Sequence, residues 1–519
     1  MTISNDFWEN YQISDKDLED IYNYLLETET PLDKFDITKF IINQKIAEQE
    51  RILLVESSKA GDHYLPEKSY SVGDKLVFPA KGQLSGLVKA VRDGINPDYP
   101  ELQVIEVETV TGEHLSFASN LKDHKLNNPL PIEKNTLLDT AHVFNEYGQS
   151  IADNLSLSLE DNPDLICIAR QYFPRALLFD ISIGPLNLCE AVLEMAGGGP
   201  LSTAELIRQI ELPISNNIKL TEFSLNYALE QDGRFDEVGP AGVTLWFLKR
   251  LEPLEVQNPP FTLNYIGRLP ENTDSIPNLE ELNNLVDDEL ELLQPEHDSD
   301  EITISVSYPH WRAGTLPLTE RNKNIFPTAY ETPRVKFDFH DSSSHQNFSG
   351  WVVRPKHYVY GLRNWYEQQG VIPGSFITIR KSTNPGEVNI KTTKSKNSRD
   401  WIRTVLIGTD GGIVFALLKQ VINCTYDERM AIMIPDVNSL DQIWTSNKFK
   451  QPIEKVVLTI MRELGKLNLQ NQIHAQELYS AVNIIRRAPP SVILSVLHSQ
   501  SWAHHLGDLY FKLDENNLP

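Results

Sequence analysis

Asp338, Asp341, Glu387 and Lys391 come nearest, in this chain, to a catalytic set. Carboxylates that converge on a divalent cation can activate water against a phosphodiester. Their spacing does not fit the acid-x-Lys arrangement that such a metal-dependent nuclease would use. His340 and His345 flank a loop of serines, but two histidines without a third ligand read as surface polar groups. His504 and His505 are adjacent, and adjacent residues on a strand face opposite ways. Cys167, Cys189 and Cys424 are far apart and lack C-x-x-C spacing. The chain has no P-loop, no G-x-G-x-x-G after a strand, no H-E-x-x-H and no G-x-S-x-G. No catalytic residue, metal or cofactor is therefore expected, and no small-molecule substrate is evident.

Cations remain. Arg354, Lys356, Arg380, Lys381, Lys394, Lys396, Arg399 and Arg403 crowd one region, and Arg486 and Arg487 follow on a later helix. Within residues 380–403 stand seven bases and two acids. Lysine and arginine bind phosphate by releasing its condensed counterions. These ten are the expected nucleic-acid contacts, although each alone also reads as charge on a solvated strand. The rest of the chain is acidic, with a formal net charge of −25. Residues 1–300 hold 22 Lys+Arg against 53 Asp+Glu, net −31; residues 301–519 hold 25 against 19, net +6. Such asymmetry fits a protein that touches nucleic acid at one end only, and an ordinary acidic protein accounts for the same numbers. An odd, scattered set of three cysteines fits a reduced compartment. No signal peptide and no run of about 18 apolar residues is found, so a cytoplasmic location without a membrane partner is expected.

The elements that would carry these residues are multi-domain α+β: winged-helix (helix-turn-helix) modules combined with small β-barrels. Residues 1–60 read as a helical, helix-turn-helix-like segment, with Ser14 capping a helix that lines up Leu18, Ile21, Leu25 and Leu26. Short β-rich runs separated by turn signals make residues 66–128 a small β-barrel. Residues 137–253 read as a helical segment followed by a helix pair and an apolar hairpin. Its strand Val243–Leu248 is apolar on both faces and must be covered on both. Residues 254–300 are an acidic linker, with Leu279, Leu282, Val286, Leu290 and Leu293 at helical spacing. This linker reads either as a solvated spacer or as a strap over a basic surface, its own barrel's or a partner's. Alternation in TPRVKFDFH and the strands after it make residues 301–435 a basic β-pseudobarrel. Residues 445–519 repeat the winged-helix-like plan of three helices and a terminal hairpin.

Two stretches resemble known families. In residues 187–253, GGGPLSTAELIRQI, LNYALEQDGRFDEVG and LWFL resemble the HARE-type winged helix of the acidic delta subunit of bacterial RNA polymerase, with a longer hairpin turn at Gly239-Pro-Ala-Gly. The resemblance implies binding to the transcription machinery or to DNA-bound complexes. In residues 334–392, Gly350-Trp351, the Tyr358-Val-Tyr-Gly-Leu strand, Trp365 and the Pro373-Gly374 turn resemble the plant B-three DNA-binding pseudobarrel, with Ser375 where that family often has Asp. That likeness implies DNA held by strand edges and basic loops.

Together these readings predict a non-enzymatic DNA-associated protein of transcription or its regulation. The basic barrel would contact nucleic acid. The acidic winged helix would contact protein through Phe223, Tyr227 and Trp246, with RNA polymerase or another transcription protein as partner. A protein-binding scaffold of RNA polymerase, or the recognition subunit of a restriction or defence system, are the alternatives.

Overall fold

The computed structural model describes residues 5–78, 81, 84–127, 138–213, 217–291, 299–408, 411–445 and 451–518, without side chains at 53–60, 274 and 395–398. The chain is mixed α+β with several sheets, one of them curled into a half-barrel. It divides into two compact units: residues 1–179 with 216–220, and residues 180–215 with 221–519. Among the described residues no helix is long and apolar enough to cross a membrane.

One path recurs three times: helix, two- or three-residue strand, two helices, then two strands. In the first unit it runs α1 (Asp15–Thr28), β1 (Leu32–Asp33), α2 (Lys34–Ala60), α3 (Thr140–Glu160), β2 (Leu165–Ile168) and β3 (Gln171–Pro174). Both partners of the expected Ser14 cap are in place: Asp17 N donates to Ser14 Oγ and Ser14 N to the Asp17 carboxylate. The second path is α4 (Ile183–Met195), β4 (Leu201–Ser202), α5 (Thr203–Gln209), α6 (Ile218–Gln231), β5 (Phe235–Glu237) and β6 (Leu245–Leu248). In each the short strand pairs antiparallel with the last strand, so the sheet orders are β1-β3-β2 and β4-β6-β5.

The expected small barrel at 66–128 is an open five-stranded sheet inserted between α2 and α3. Asp62–His63 forms one edge and His114–Ser119 the other, and the edges do not pair. The helical segment expected at the start of 137–253 is interrupted, because β2 and β3 form a hairpin there. Ala169 and Arg170 turn it at φ of 53° and 60° without the Gly or Asn that normally marks such a turn.

In the second unit the acidic segment 254–291 carries only short helical turns, among them Leu254–Gln257 and α7 (Leu279–Asn283), the latter where a helix through Leu293 was expected. Leu293 itself lies outside the described residues. A seven-stranded sheet follows, built from β7 (Glu301–Ser305), α8 (Tyr308–Ala313), β8 (Thr315–Pro317), β9 (Arg334–Asp341), β10 (Asn347–Val353), β11 (Tyr358–Tyr360), α9 (Arg363–Gln369), β12 (Phe376–Lys381) and β13 (Glu387–Lys391). Its order is β7-β12-β13-β9-β10-β11-β8, open at both edges. The expected barrel of 301–435 ends at Lys391. A separate long ribbon takes over, β14 (Lys394–Ile407) and β15 (Ile413–Cys424), with β16 (Ile432–Met433) beside β14.

The third path closes the chain: α10 (Ile453–Gly465), β17 (Gln472–His474), α11 (Ala475–Ile485), α12 (Pro490–Ser499), β18 (Ala503–Gly507) and β19 (Tyr510–Leu513), in the order β17-β19-β18. All three short strands share one pattern: an apolar residue, a capping residue, two more residues and an acid. Leu32-Asp33 leads to Asp36, Leu201-Ser202 to Glu205, and Ile473-His474 to Glu477. Each capping side chain accepts an amide of the following helix. Asp33 takes Phe35 N and Asp36 N at 2.8 Å, Ser202 takes Glu205 N at 3.2 Å, and His474 Nδ1 takes Gln476 N at 3.2 Å. An imidazole can accept only when neutral. Burial, with Arg429 nearby, holds His474 down at about 4.

The two-faced strand of the second path is covered on both sides. Trp246 faces its own module, donating Nε1–H to Asn226 at 2.9 Å and Thr203 at 3.2 Å. Phe247 faces the seven-stranded sheet and meets Trp351 edge-on at 5.2 Å. The backbone joins too, Lys336 N donating to Val238 O at 2.9 Å. Arg334 of β9 binds Glu252 at 3.1 Å and also pairs with Asp236. Several acids of the module thus neutralise cations within the protein.

Glu237 lies buried at this junction, accepting Gly239 N at 2.9 Å and Tyr330 N at 3.1 Å. Burial pushes its carboxyl up to about 7, although backbone donors pull it back. A carboxyl raised on folding makes the native state take up a proton. Its contribution is complete below the unfolded value and is lost as pH climbs through about 7. Glu237→Gln should therefore gain on the wild type by on the order of 3 kcal/mol between about pH 5 and pH 8. Urea unfolding of both proteins at the two pH values checks this, since any fixed cost of the substitution cancels.

Candidate nucleic-acid interface

Strand alternation sorts the seven-stranded sheet into an apolar and a polar face. Ile377, Ile379, Val388, Ile390, Phe337 and Phe339 go inward and are buried. Their neighbours face out, and the register lines them up across strands. One row runs Glu301, Arg380, Asn389, His340 and Asn347 over β7, β12, β13, β9 and β10. A second runs Thr303, Thr378 and Lys391, and a third Glu387, Asp338 and Ser349. Above the first row opens a polar recess of about 540 Å³ to which His340, His345, Asn347, Arg380, Lys381 and Asn389 all contribute.

Within it His340 Nδ1 is 2.6 Å from Asn347 Oδ1, and the His340 and His345 rings lie 5.8 Å apart. Arg380 and Lys381 are exposed, and neither has an ion pair among the described residues. The carboxylates nearby are partly engaged: Glu301 with Lys391 at 3.2 Å, and Glu387 with the Ser382 hydroxyl at 2.9 Å.

Asp338 and Glu387 are cross-strand neighbours, a juxtaposition their sequence separation hid. Asp341 is buried and used for structure instead. It accepts Trp365 Nε1 and Gln369 Nε2 at 3.0 Å and Ser343 N at 2.8 Å. Burial would raise its carboxyl, but these donors hold it below the usual range. Among the described residues no three His, Cys, Asp or Glu side chains are grouped to hold a metal ion.

Of the ten expected phosphate contacts, the recess brings together Arg380 and Lys381. Lys394 and Arg399 are exposed on the separate ribbon, and the Lys396 side chain lies outside the described residues. Lys356 is exposed beyond Val353, at the opposite end of β10 from Asn347. Four arginines are consumed internally, which corrects their expected role. Arg354 is half-buried and donates to the carbonyls of Phe326 and Pro327 at 3.0 Å. Arg403 is buried against Glu477 at 3.0 Å. Arg486 donates to the carbonyls of Ile266, at 3.0 Å, and Gln451. Arg487 is fully buried. The expected protein contacts change likewise: Phe223 and Trp246 are buried, and Tyr227 is half-buried.

The acidic segment 254–291 does not line the recess. It straps the C-terminal module. Leu279, Leu282 and Val286 enter that module's core. Arg487 Nη1 donates to Asp288 at 2.8 Å, Arg487 Nη2 lies 3.0 Å from Glu289, and the Tyr479 hydroxyl donates to Asp288 at 2.8 Å. Glu289 also meets His310 Nε2 at 2.8 Å, and Glu291 accepts Ser491 N at 2.8 Å. Burial alone would raise the Glu289 carboxyl, but Arg487 and then His310 hold it well below the usual range.

Comparison with known proteins adds no relative: no family, no curated protein and no solved structure matches the chain.

Proposed function

We propose that this is a non-enzymatic DNA-associated protein that grips duplex DNA on the polar face of its seven-stranded sheet. The observation that carries the proposal is the outward row Arg380–Asn389–His340–Asn347, flanked by Lys381. It sets cations that have no ion pair among the described residues beside amide groups across three strand spacings, about 14 Å. That width is comparable with a major groove of about 12 Å, where arginine reads guanine and asparagine reads adenine. The likeness of residues 334–392 to the B-three pseudobarrel points the same way.

The three recurrent paths are winged helices in this reading. The third helix of the last one, α12, is apolar and buried, so it serves the core and not a groove. The second, HARE-like one keeps its wing inside the protein and offers a different surface to a partner. On α4, Leu188 and Met195 stand seven residues apart on one face, 52% and 90% exposed. A protein of the transcription machinery, RNA polymerase included, is the partner that the delta-subunit resemblance suggests.

Filter binding of the full chain to a duplex over a range of salt tests the proposal. Retention near about 50 mM salt with a steep negative salt slope is expected. The double variant R380E/K381E should weaken binding and flatten the slope by about 2. A duplex that is not retained at low salt, or a slope that the double variant leaves unchanged, refutes the reading.

A further inference from the structure

The ribbon β14–β15 is buried by halves. Near its tip Val405, Ile413 and Phe415 enter the C-terminal core, and near its base Ile402 and Ile422 enter a smaller cluster. On the other face of the basal half the described side chains from Arg399 to Trp401 and from Lys419 to Val421 include several exposed ones. Trp401 is 68% exposed there, directly opposite Lys419. Arg399 precedes it by two residues on the same face, opposite Val421, which is 52% exposed. A tryptophan left in water forgoes the largest apolar burial any side chain has to give, so its position calls for a ligand.

Beside it opens a recess of about 850 Å³, bounded by the ribbon on one side and the C-terminal module on the other. Trp401, Tyr426 and Tyr510 supply three aromatic rings, and Arg429 and Glu428 supply polar groups. Arg429 stands 6.0 Å from the centre of the Tyr510 ring and donates to its hydroxyl at 3.3 Å. The second carboxylate of the lining, Glu477, is held by Arg403 at 3.0 Å. Arg429 in the lining, with Arg399 and Lys419 beside Trp401 on the ribbon, stands against Glu428 in the lining and Asp400, which accepts the Tyr426 hydroxyl at 3.4 Å.

We infer that this recess binds single-stranded nucleic acid, with an unpaired base stacked on Trp401 and its phosphates met by Arg399 and Lys419. Every base offers a π-face, and such faces are open only where bases are unpaired. Leu417, Leu464, Leu467 and Leu469 in the lining would also suit an apolar peptide, but the cations that flank the exposed indole favour a polyanion. The ligand class and the residues differ from those of the sheet face, so the two sites fail or stand independently.

The test uses the full chain and a labelled thymidine oligonucleotide of about 20 nucleotides, followed by anisotropy and by quenching of tryptophan fluorescence. The wild type should bind. Trp401→Ala and Trp401→Leu should each lose about tenfold or more in affinity, while Trp401→Phe stays within about threefold. R380E/K381E should leave oligonucleotide binding unchanged while weakening duplex binding. The inference is overturned if the wild type ignores the oligonucleotide, or if Trp401→Ala binds it as well as the wild type does. It is equally overturned if Trp401→Leu keeps full affinity, since apolar area without stacking is what a peptide site would need.

Discussion

Arg487→Ala should cost the second unit about 3–5 kcal/mol, because it strands buried carboxylates whose chief cation it is. Asp288 and Glu289 are both buried, and the Arg487 guanidinium reaches each of them. Their desolvation is offset in the native protein by that one side chain, together with Tyr479 and His310. Without it they would have to take up protons to remain inside, so the deficit of the variant should shrink as pH falls. In the wild type the sign is opposite for Glu289. Its lowered carboxyl contributes stability above the ordinary glutamate range near 4.3 and loses it as pH drops. Urea unfolding followed by fluorescence, at neutral and mildly acidic pH, measures both trends. A variant within about 1 kcal/mol of wild type at neutral pH would show that water already reaches the cluster. Tyr479→Phe, which removes one donor to Asp288, should cost less, about 1–3 kcal/mol.

The second large effect is expected at the seam between the module of α4 to β6 and the seven-stranded sheet. Phe247 is buried with Val238, Val256, Leu263, Trp351 and Val353. Phe247→Ala should cost about 3–5 kcal/mol through lost transfer energy and the cavity it leaves. Phe247→Leu should cost clearly less, since most of the volume is kept. Hydrogen exchange at the amides of β6 and of β10 locates the damage, and both should lose protection together. Protection lost in β6 alone would mean that the module and the sheet open separately.

Much of this architecture is legible in the sequence where a period is clean. The alternation Val335, Phe337, Phe339 sets which face of β9 is buried, and the Ser14 cap stands where its pattern places it. The two-faced character of Leu245–Leu248 foretells its cover, though not what supplies it. The hairpin at Ala169-Arg170 is hidden because ordinary residues occupy its left-handed turn. Leu279, Leu282 and Val286 are buried as their spacing implies, yet long-range packing on the C-terminal core, not helix continuation, is what buries them. The recurrence of Leu-Asp, Leu-Ser and Ile-His before a helix was available as a signal, but a five-stranded insertion separates the halves of the first copy.

The site was less legible than the fold. Charge density alone grouped Arg380 with Arg403, although a change of sheet at residue 394 parts them. It could not tell Arg399, which faces water, from Arg487, whose partner Asp288 lies 199 residues earlier. Trp401 stood within the basic stretch, and only the register of the ribbon reveals that its face is uncovered.

That separation of 199 residues between Asp288 and Arg487 has a consequence for biosynthesis. The strap leaves the ribosome long before its guanidinium partner is translated. Until the final helices emerge, its carboxylates must stay hydrated and the leucines beside them unsheltered. A polypeptide cut short before residue 487 would thus display the same acidic, leucine-bearing stretch to whatever protease or chaperone patrols unfinished chains.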